Sequence, residues 1–311
     1  GSEMCIRDRF TGGTWEPIVF FLIFAAATVL VVVFGVQKGI ERVSKILMPV
    51  LAVLALFLAF YAMCQPGALE GVKKLFVPDF NDFRPQTLLA AMGQLFYSMS
   101  LAMGIMITYG SYMKKGAEIQ KSGRQISVCD TLFAILAALI IIPSIYSVTG
   151  GGAAAEEAMN SSGPSLMFIV LPQAFNGMCA GRIIGFVFFV LVLFAALTSS
   201  ISLAETIVAV LRENLHLRRI VACVIVLGTM IVLGILSSLG FGPLSMVSVA
   251  GKSILDMFDF FSNSILMPLV AIGTCLIAGF FTDTESLADE IGMRRKGYRM
   301  YYKIMIRYVA P

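Results

Sequence analysis

Residues 93–112 read GQLFYSMSLAMGIMITYGSY. The stretch lies inside an apolar run long enough to cross a bilayer, but its middle, Ser98-Met99-Ser100-Leu101-Ala102-Met103-Gly104, is a poor straight helix. Two hydroxyls, an alanine and a glycine interrupt bulky apolar side chains there. In lipid, a backbone that leaves the helix must have its N–H and C=O groups satisfied by protein, water or a ligand. Broken helices at the midplane of transporters use this: free carbonyls hold cations and helix ends hold substrate charges. The other reading is an unbroken helix whose small and hydroxyl side chains pack tightly on a neighbour.

Composition narrows the class. The 311 residues are 58% hydrophobic and 14% charged, with mean hydropathy +0.89, whereas an ordinary soluble domain is roughly 25% charged. No soluble fold of this length hides so much apolar surface, so the chain is an integral membrane protein. Its apolar runs are helix-length, not the short alternating strands of a membrane barrel. The fold class is all-α, with seven spans predicted at 17–35, 44–64, 87–112, 126–149, 183–211, 220–239 and 254–281.

The loops between these spans alternate in charge. Sixteen of the 23 basic residues fall in one set of loops, around Lys38–Lys45, Lys114–Arg124, Arg212–Arg219 and Arg294–Arg307. The positive-inside rule puts that set in the cytoplasm of a multi-pass plasma (inner) membrane protein, with the chain starting outside and ending inside. Such a start, without a signal peptide, is expected of an internal fragment with upstream spans missing. Residues 1–9 read as a leader or cloning scar, 10–281 as the transmembrane domain, and 282–311 as a cytoplasmic segment leading into a truncated next helix. The outer loop 150–181 carries an apolar stretch too short to span and is expected to fold as a helical hairpin over the outer mouth, as a lid.

The six cysteines lack disulfide-framework or metal-type spacing. Metal-ligand clusters, Ser/His/Asp sets and phosphate-binding glycine loops are absent from the sequence, and the basic residues sit at membrane borders. Neither an enzyme nor a nucleic-acid partner is therefore expected; the partner is the lipid bilayer. His216, the one histidine, reads as a solvated loop residue.

Polar groups inside the spans carry the functional signal. Spacing of three and four residues puts Ala195, Thr198, Ser202 and Glu205 on one face of the fifth span, with Ser199 and Leu203 beside them. Hydroxyls with carbonyls make a hard-oxygen environment suited to Na⁺. The alternative is that the hydroxyls bond back to the preceding turn of their own helix. Glu205 is costly in the membrane, so it faces protein or water, with a structural hydrogen bond preferred over a transport role. Asp130 either caps the start of the fourth span or reaches a cation site near the third. Asp256 reads as a helix-start acid.

Taken together the chain resembles the neurotransmitter:sodium symporter family, especially its bacterial amino-acid transporters, from about residue 17 to the end. The markers are Gly39-Ile40-Glu41-Arg42 leading to Lys45 and Met48-Pro49; Val77-Pro78-Asp79-Phe80; the string from Gly93; Leu171-Pro172; Leu197-Thr198-Ser199-Ser200; and Asp259-Phe260. The resemblance implies a partial inverted-repeat (LeuT-like) fold, with these spans as helices four to ten and the third span unwound. It also implies roles. Tyr97 would close the substrate pocket, and Ser98 would bind both substrate and the first sodium ion. Ser100 and Met103 would line the pocket, with Ser199 and Leu203 on its far side. Ala195 (by its carbonyl), Thr198 and Ser199 would form the second sodium site. Asp259 would be the acid of the outer gate and Gln94 would stand in the chloride region.

The chain departs from the family pattern on the fourth span. Where the family usually has a sodium-binding asparagine, the best register puts Asp130, a one-residue shift would put Cys129, and Ala134 stands one turn on where chloride-dependent members have serine. Asp130 is therefore expected to supply the fixed negative charge and chloride not to be required. The expected function is Na⁺-coupled import of a small amino acid or related amine by alternating access, with two sodium sites. The fragment itself is expected to be inactive, and a homodimer is an allowed assembly. The alternatives are a sodium-independent or proton-coupled permease of the same architecture, or a non-transporting seven-helix receptor or sensor.

Overall fold

The computed structural model describes residues 13, 15–77, 84–114, 116–159, 166–178, 180–240, 253–293 and 296–310. The leader and the Pro78-Asp79-Phe80 part of the family marker lie outside them. Every regular element described is helical. The chain divides into two compact units, Gly1–Phe83 with Thr131–Ser245, and Arg84–Asp130 with Met246–Pro311.

The first unit begins with α1, Trp15–Val33, and α2, Glu41–Met63, joined by one wide π turn at Val36–Ile40. Two further long helices, α9 (Gly181–Leu215) and α10 (Arg219–Leu239), pack on them: α1 against both and α2 against α9. Gly234 lets α10 approach α1, because a Cβ there would come within 2.0 Å of the Phe21 ring. The outward sides of these helices keep their apolar side chains exposed, among them Ile23, Leu30, Val224 and Val232, as a surface that meets hydrocarbon must.

Between α2 and α9 the first unit holds α3 (Ala68–Phe76), the later part of α6 (Ile119–Thr149), α7 (Gly152–Met159), a π turn at Leu166–Val170 and α8 (Leu171–Asn176). Gly150, Gly151 and Gly152, all at positive φ, turn the chain from α6 into α7. The 150–181 loop is then fixed by packing: Ala155, Leu171, Phe175 and Met178 join one buried cluster with Leu58 of α2, Ile145 of α6 and Phe188 of α9. The Phe175 and Phe188 rings lie 5.2 Å apart.

A buried ion pair ties three helices of this unit. Glu205, on α9, has no exposed surface. Arg219, the first residue of α10, donates from Nη1 to Glu205 Oε1 at 3.2 Å and from Nη2 to Glu205 Oε2. The same guanidinium donates from Nε and Nη2 to the Val32 carbonyl at 2.9 and 2.7 Å. That carbonyl belongs to the last turn of α1, whose C=O groups have no partner within the helix.

The second unit holds α4 (Pro85–Ser98), α5 (Ile105–Ser111) and the first part of α6. It also holds a 28-residue run, Ile254–Phe281, made of α11 (Ile254–Asp259), a π turn (Phe260–Leu266), α12 (Met267–Leu276) and a second π turn (Ile277–Phe281). Ser253 caps this run by accepting from the Asp256 N–H at 3.2 Å, so Asp256 is a helix-start acid. Beyond it come α13 (Thr284–Glu290), α14 (Lys296–Ile304) and a final π turn, Met305–Val309. The final turn packs back beside Ile277–Phe281. Arg307 Nε donates to the Gly279 carbonyl at 2.6 Å, and its guanidinium lies 5.7 Å over the Phe280 ring.

Among the described residues, six helical runs are long and apolar enough to cross a membrane: Trp15–Val33, Lys38–Met63, Ile119–Thr149, Gly181–Leu215, Arg219–Leu239 and Ile254–Phe281. The chain is a multi-pass membrane protein. The expected span 87–112 is two helices of 14 and seven residues, neither long enough alone. The fourth span also differs, since α6 starts at Ile119 and not 126. Gln, Lys and Arg are good helix formers, so the polar stretch ahead of the apolar run stays helical. Asp130 therefore stands inside a helix, which removes its reading as a helix-start cap.

Two outcomes test this packing. Glu205→Ala leaves the Arg219 charge mostly buried without its carboxylate. It is expected to cost about 3–5 kcal/mol of stability, whereas Glu205→Met with Arg219→Met recovers most of that loss. Thermal unfolding in detergent reads both; equal losses for the single and double variants would contradict the account. At the other end, Asp283 caps α13, accepting from the Ser286 hydroxyl and from the Glu285 and Ser286 N–H groups. These bonds, the hydroxyl's foremost, hold its carboxyl below the usual range. A depressed carboxylate stabilises above its unfolded pKa and loses that contribution as pH falls through the folded one. Amide protection at Glu285 and Ser286 should therefore drop on acidification below about pH 4, and be low at every pH in Asp283→Ala.

Candidate functional site

The two units carry one polar locus each. In the second unit α4 ends at Ser98 and α5 begins at Ile105. Between them Ser100, Ala102 and Gly104 have φ of 53, 63 and 75°. Only the glycine adopts that region freely; for the serine and alanine it costs roughly 1–3 kcal/mol each and persists only where surrounding structure imposes it. The chain loosens in steps. Met99 N–H still bonds Leu95 O at 3.0 Å, Ser100 N–H bonds Tyr97 O at 3.0 Å, and Leu101 N–H reaches five residues back to Phe96 O at 2.9 Å. Past the break, Thr108 N–H bonds Gly104 O at 2.9 Å as α5 takes over.

Ser98, the last residue before the break, donates its hydroxyl to Asp130 Oδ1. Two residues 32 apart in sequence, both singled out for the first sodium ion, are thus in direct contact. The carboxylate is half-buried on α6. Gln94 sits one turn before Ser98 and shares its face by spacing. Tyr97 is half exposed, and Ser100 and Met103 are half-buried in the break itself. Asp259, also in this unit, is exposed and accepts from the Asn263 amide at 2.6 Å.

In the first unit four hydroxyls of α9 turn to their own backbone. Thr198 donates to Ala195 O at 2.9 Å, Ser200 to Ala196 O at 2.7 Å, Ser202 to Thr198 O at 3.1 Å and Thr206 to Ser202 O at 2.9 Å. This back-bonding was the alternative weighed for them. It does not use up the oxygens. A hydroxyl that donates its hydrogen keeps its lone pairs, so Thr198 Oγ1 remains an acceptor beside Ala195 O, which already takes the Thr198 hydroxyl in addition to its helical N–H. Ser199 and Leu203 are exposed beside them.

Sequence reasoning missed Arg219, which reads as one more basic residue at a membrane border. The available signal was Glu205 itself: a buried acid near the end of one helix needs a cation, and an arginine opening the next antiparallel helix is within reach.

Relatives give this arrangement a context. The chain matches the sodium:neurotransmitter symporter family over residues 10–311. The sodium-dependent transporter YhdH of Bacillus subtilis is 36% identical over 296 residues, 93% of this chain and 63% of that protein. A sodium-dependent transporter of Haemophilus influenzae is 32% identical over 304 residues, 97% of this chain and 64% of that protein. The chain therefore spans under two-thirds of the length of both. The crystal structure of MhsT in complex with L-phenylalanine matches with a TM-score of 0.86 at 35% identity, over 98% of this chain and 68% of that one. On sequence and fold alike, the chain belongs to the sodium:neurotransmitter symporter family, a family of secondary transporters and not of enzymes.

Proposed function

We propose that the protein imports an amino acid with Na⁺ by alternating access. The observation that carries this reading is the Ser98–Asp130 contact at the end of a broken helix. A carboxylate, a hydroxyl and carbonyls released by the break form an all-oxygen donor set, which suits a hard monovalent cation. Sodium would sit between the carboxylate and the Ser98 hydroxyl oxygen, with the hydroxyl hydrogen turned away from it. The substrate would bind along the same segment through Tyr97, Ser98, Ser100 and Met103. Ion and substrate then share one strained piece of backbone, so ordering it for one favours the other, and that coupling is reciprocal.

A second sodium ion is assigned to Ala195 O, Thr198 and Ser199 on α9. The neighbour with L-phenylalanine bound and the flexible Met103 support an apolar or aromatic amino acid as substrate. Asp130 supplies a fixed negative charge, which makes chloride unnecessary. Tyr97 and Asp259 form the outer gate, and the charge alternation of the loops places the chain's start outside.

Three outcomes test the reading in the complete protein. Asp130→Asn removes a charge-assisted interaction worth roughly 1.5–3 kcal/mol, so the Na⁺ concentration giving half-maximal uptake of labelled L-phenylalanine should rise about tenfold or more. Thr198→Ala with Ser199→Ala should shift the same curve in the same direction, and an unchanged curve removes the α9 site. Replacing chloride by gluconate should leave wild-type uptake intact, while replacing Na⁺ by choline abolishes it. Uptake that survives in choline and follows a proton gradient would point instead to a proton-coupled permease.

A further inference from the structure

We propose that the basic face of α14 binds the headgroup of an anionic phospholipid at the membrane border. Residues 294–307 hold six basic side chains, separated by α13 from a run that ends at Phe281. Lys296, Arg299 and Lys303 recur at spacings of three and four on α14, so they share one face, and Arg307 follows in the closing π turn. They line a groove of about 700 Å³ together with Glu285, Ile304 and Tyr308.

Two of the four cations are already used by the protein, and this fixes the groove's position and charge. Arg307 bonds the Gly279 carbonyl in the last turn of the span, which anchors one end at the hydrocarbon edge. Lys296 lies 11 residues away, roughly 16 Å by helical rise, so the groove extends beyond that anchored end by about the depth of a headgroup layer. Arg299 donates to Glu285 at 3.1 Å and to Asp289, so its one charge is spent on two acids, and Asp283 lies within electrostatic reach of Lys303; with Arg307 the four cations still outnumber these three acids. Lys296 and Lys303 remain exposed and carry its surplus positive charge. Phosphate oxygens of a headgroup match those two ammonium groups.

A lipid fits better than a free anion for two reasons. Met300 and Ile304 are exposed beside the lysines, where acyl chains would continue from the headgroup. Tyr298, Tyr301 and Tyr308 are also exposed on this segment, and tyrosine favours the interface, where its ring is in apolar surroundings and its hydroxyl is wet.

The test uses the protein reconstituted in phosphatidylcholine vesicles containing spin-labelled phosphatidylglycerol or spin-labelled phosphatidylcholine. The ratio of their association constants should favour phosphatidylglycerol. It should fall about five-fold for each lysine removed in K296Q and K303Q, as expected for one charge at an anionic surface. Raising ionic strength should weaken the preference. K45Q with K121Q, which removes border lysines outside the groove, should leave it unchanged. A preference unaffected by K296Q with K303Q overturns the proposal, as does an equal loss in K45Q with K121Q. Full displacement by inorganic phosphate would assign the groove to a free anion and also overturn it.

Discussion

A chain in hydrocarbon has to satisfy every backbone N–H and C=O from within, since each unmet group costs several kcal/mol. Long helices meet most of that demand, and their last-turn carbonyls are the remainder. In both units an arginine takes such a carbonyl. Arg219 holds Val32 O at the end of α1, and Arg307 holds Gly279 O at the end of the run from Ile254. Each arginine comes from the element that returns alongside, so capping and helix packing are one contact. The positive charge at a helix C-terminus is favourable in its own right.

The same demand gives the segment from Met99 to Gly104 its meaning. Its irregular backbone stands beside a carboxylate and a hydroxyl instead of plain lipid-facing side chains. On α9 the demand acts differently. There the helix is unbroken, and hydroxyl groups add donors that must themselves find acceptors, so they turn to the preceding carbonyls. One locus offers oxygen by opening the backbone. The other offers it by stacking hydroxyl and carbonyl oxygens on an intact helix.

Much of this was legible in the sequence because hydrophobic runs and helix-breaking residues act locally. The apolar runs gave five of the long helices to within a few residues, and the mix of Ser98, Ser100, Ala102 and Gly104 marked the point where α4 stops. Glu205 was legible as a buried acid. Its partner was not, because the pairing depends on how α9 turns into α10. For Asp130 the local pattern leaves a helix-start cap and a cation site both open, because the polar residues from Gln120 to Gln125 look like a loop; the helix runs through them despite Gly123. The return of Met305–Val309 beside the preceding span also depends on tertiary packing, and no periodicity announces it.

The π turn at Phe260–Leu266 has a geometric consequence for any comparison with relatives. A π turn holds one residue more than an α turn, and one residue is about 100° of rotation. Asp259 before it and Thr274 after it therefore do not keep the angular relation that a single helical wheel assigns. A one-residue deletion here would leave helix on both sides and change no loop. It would instead rotate everything between Met267 and Phe281 relative to Asp259. In this part of the family a gap in an alignment is a turn of a screw, and side chains at equal sequence positions can face opposite surroundings.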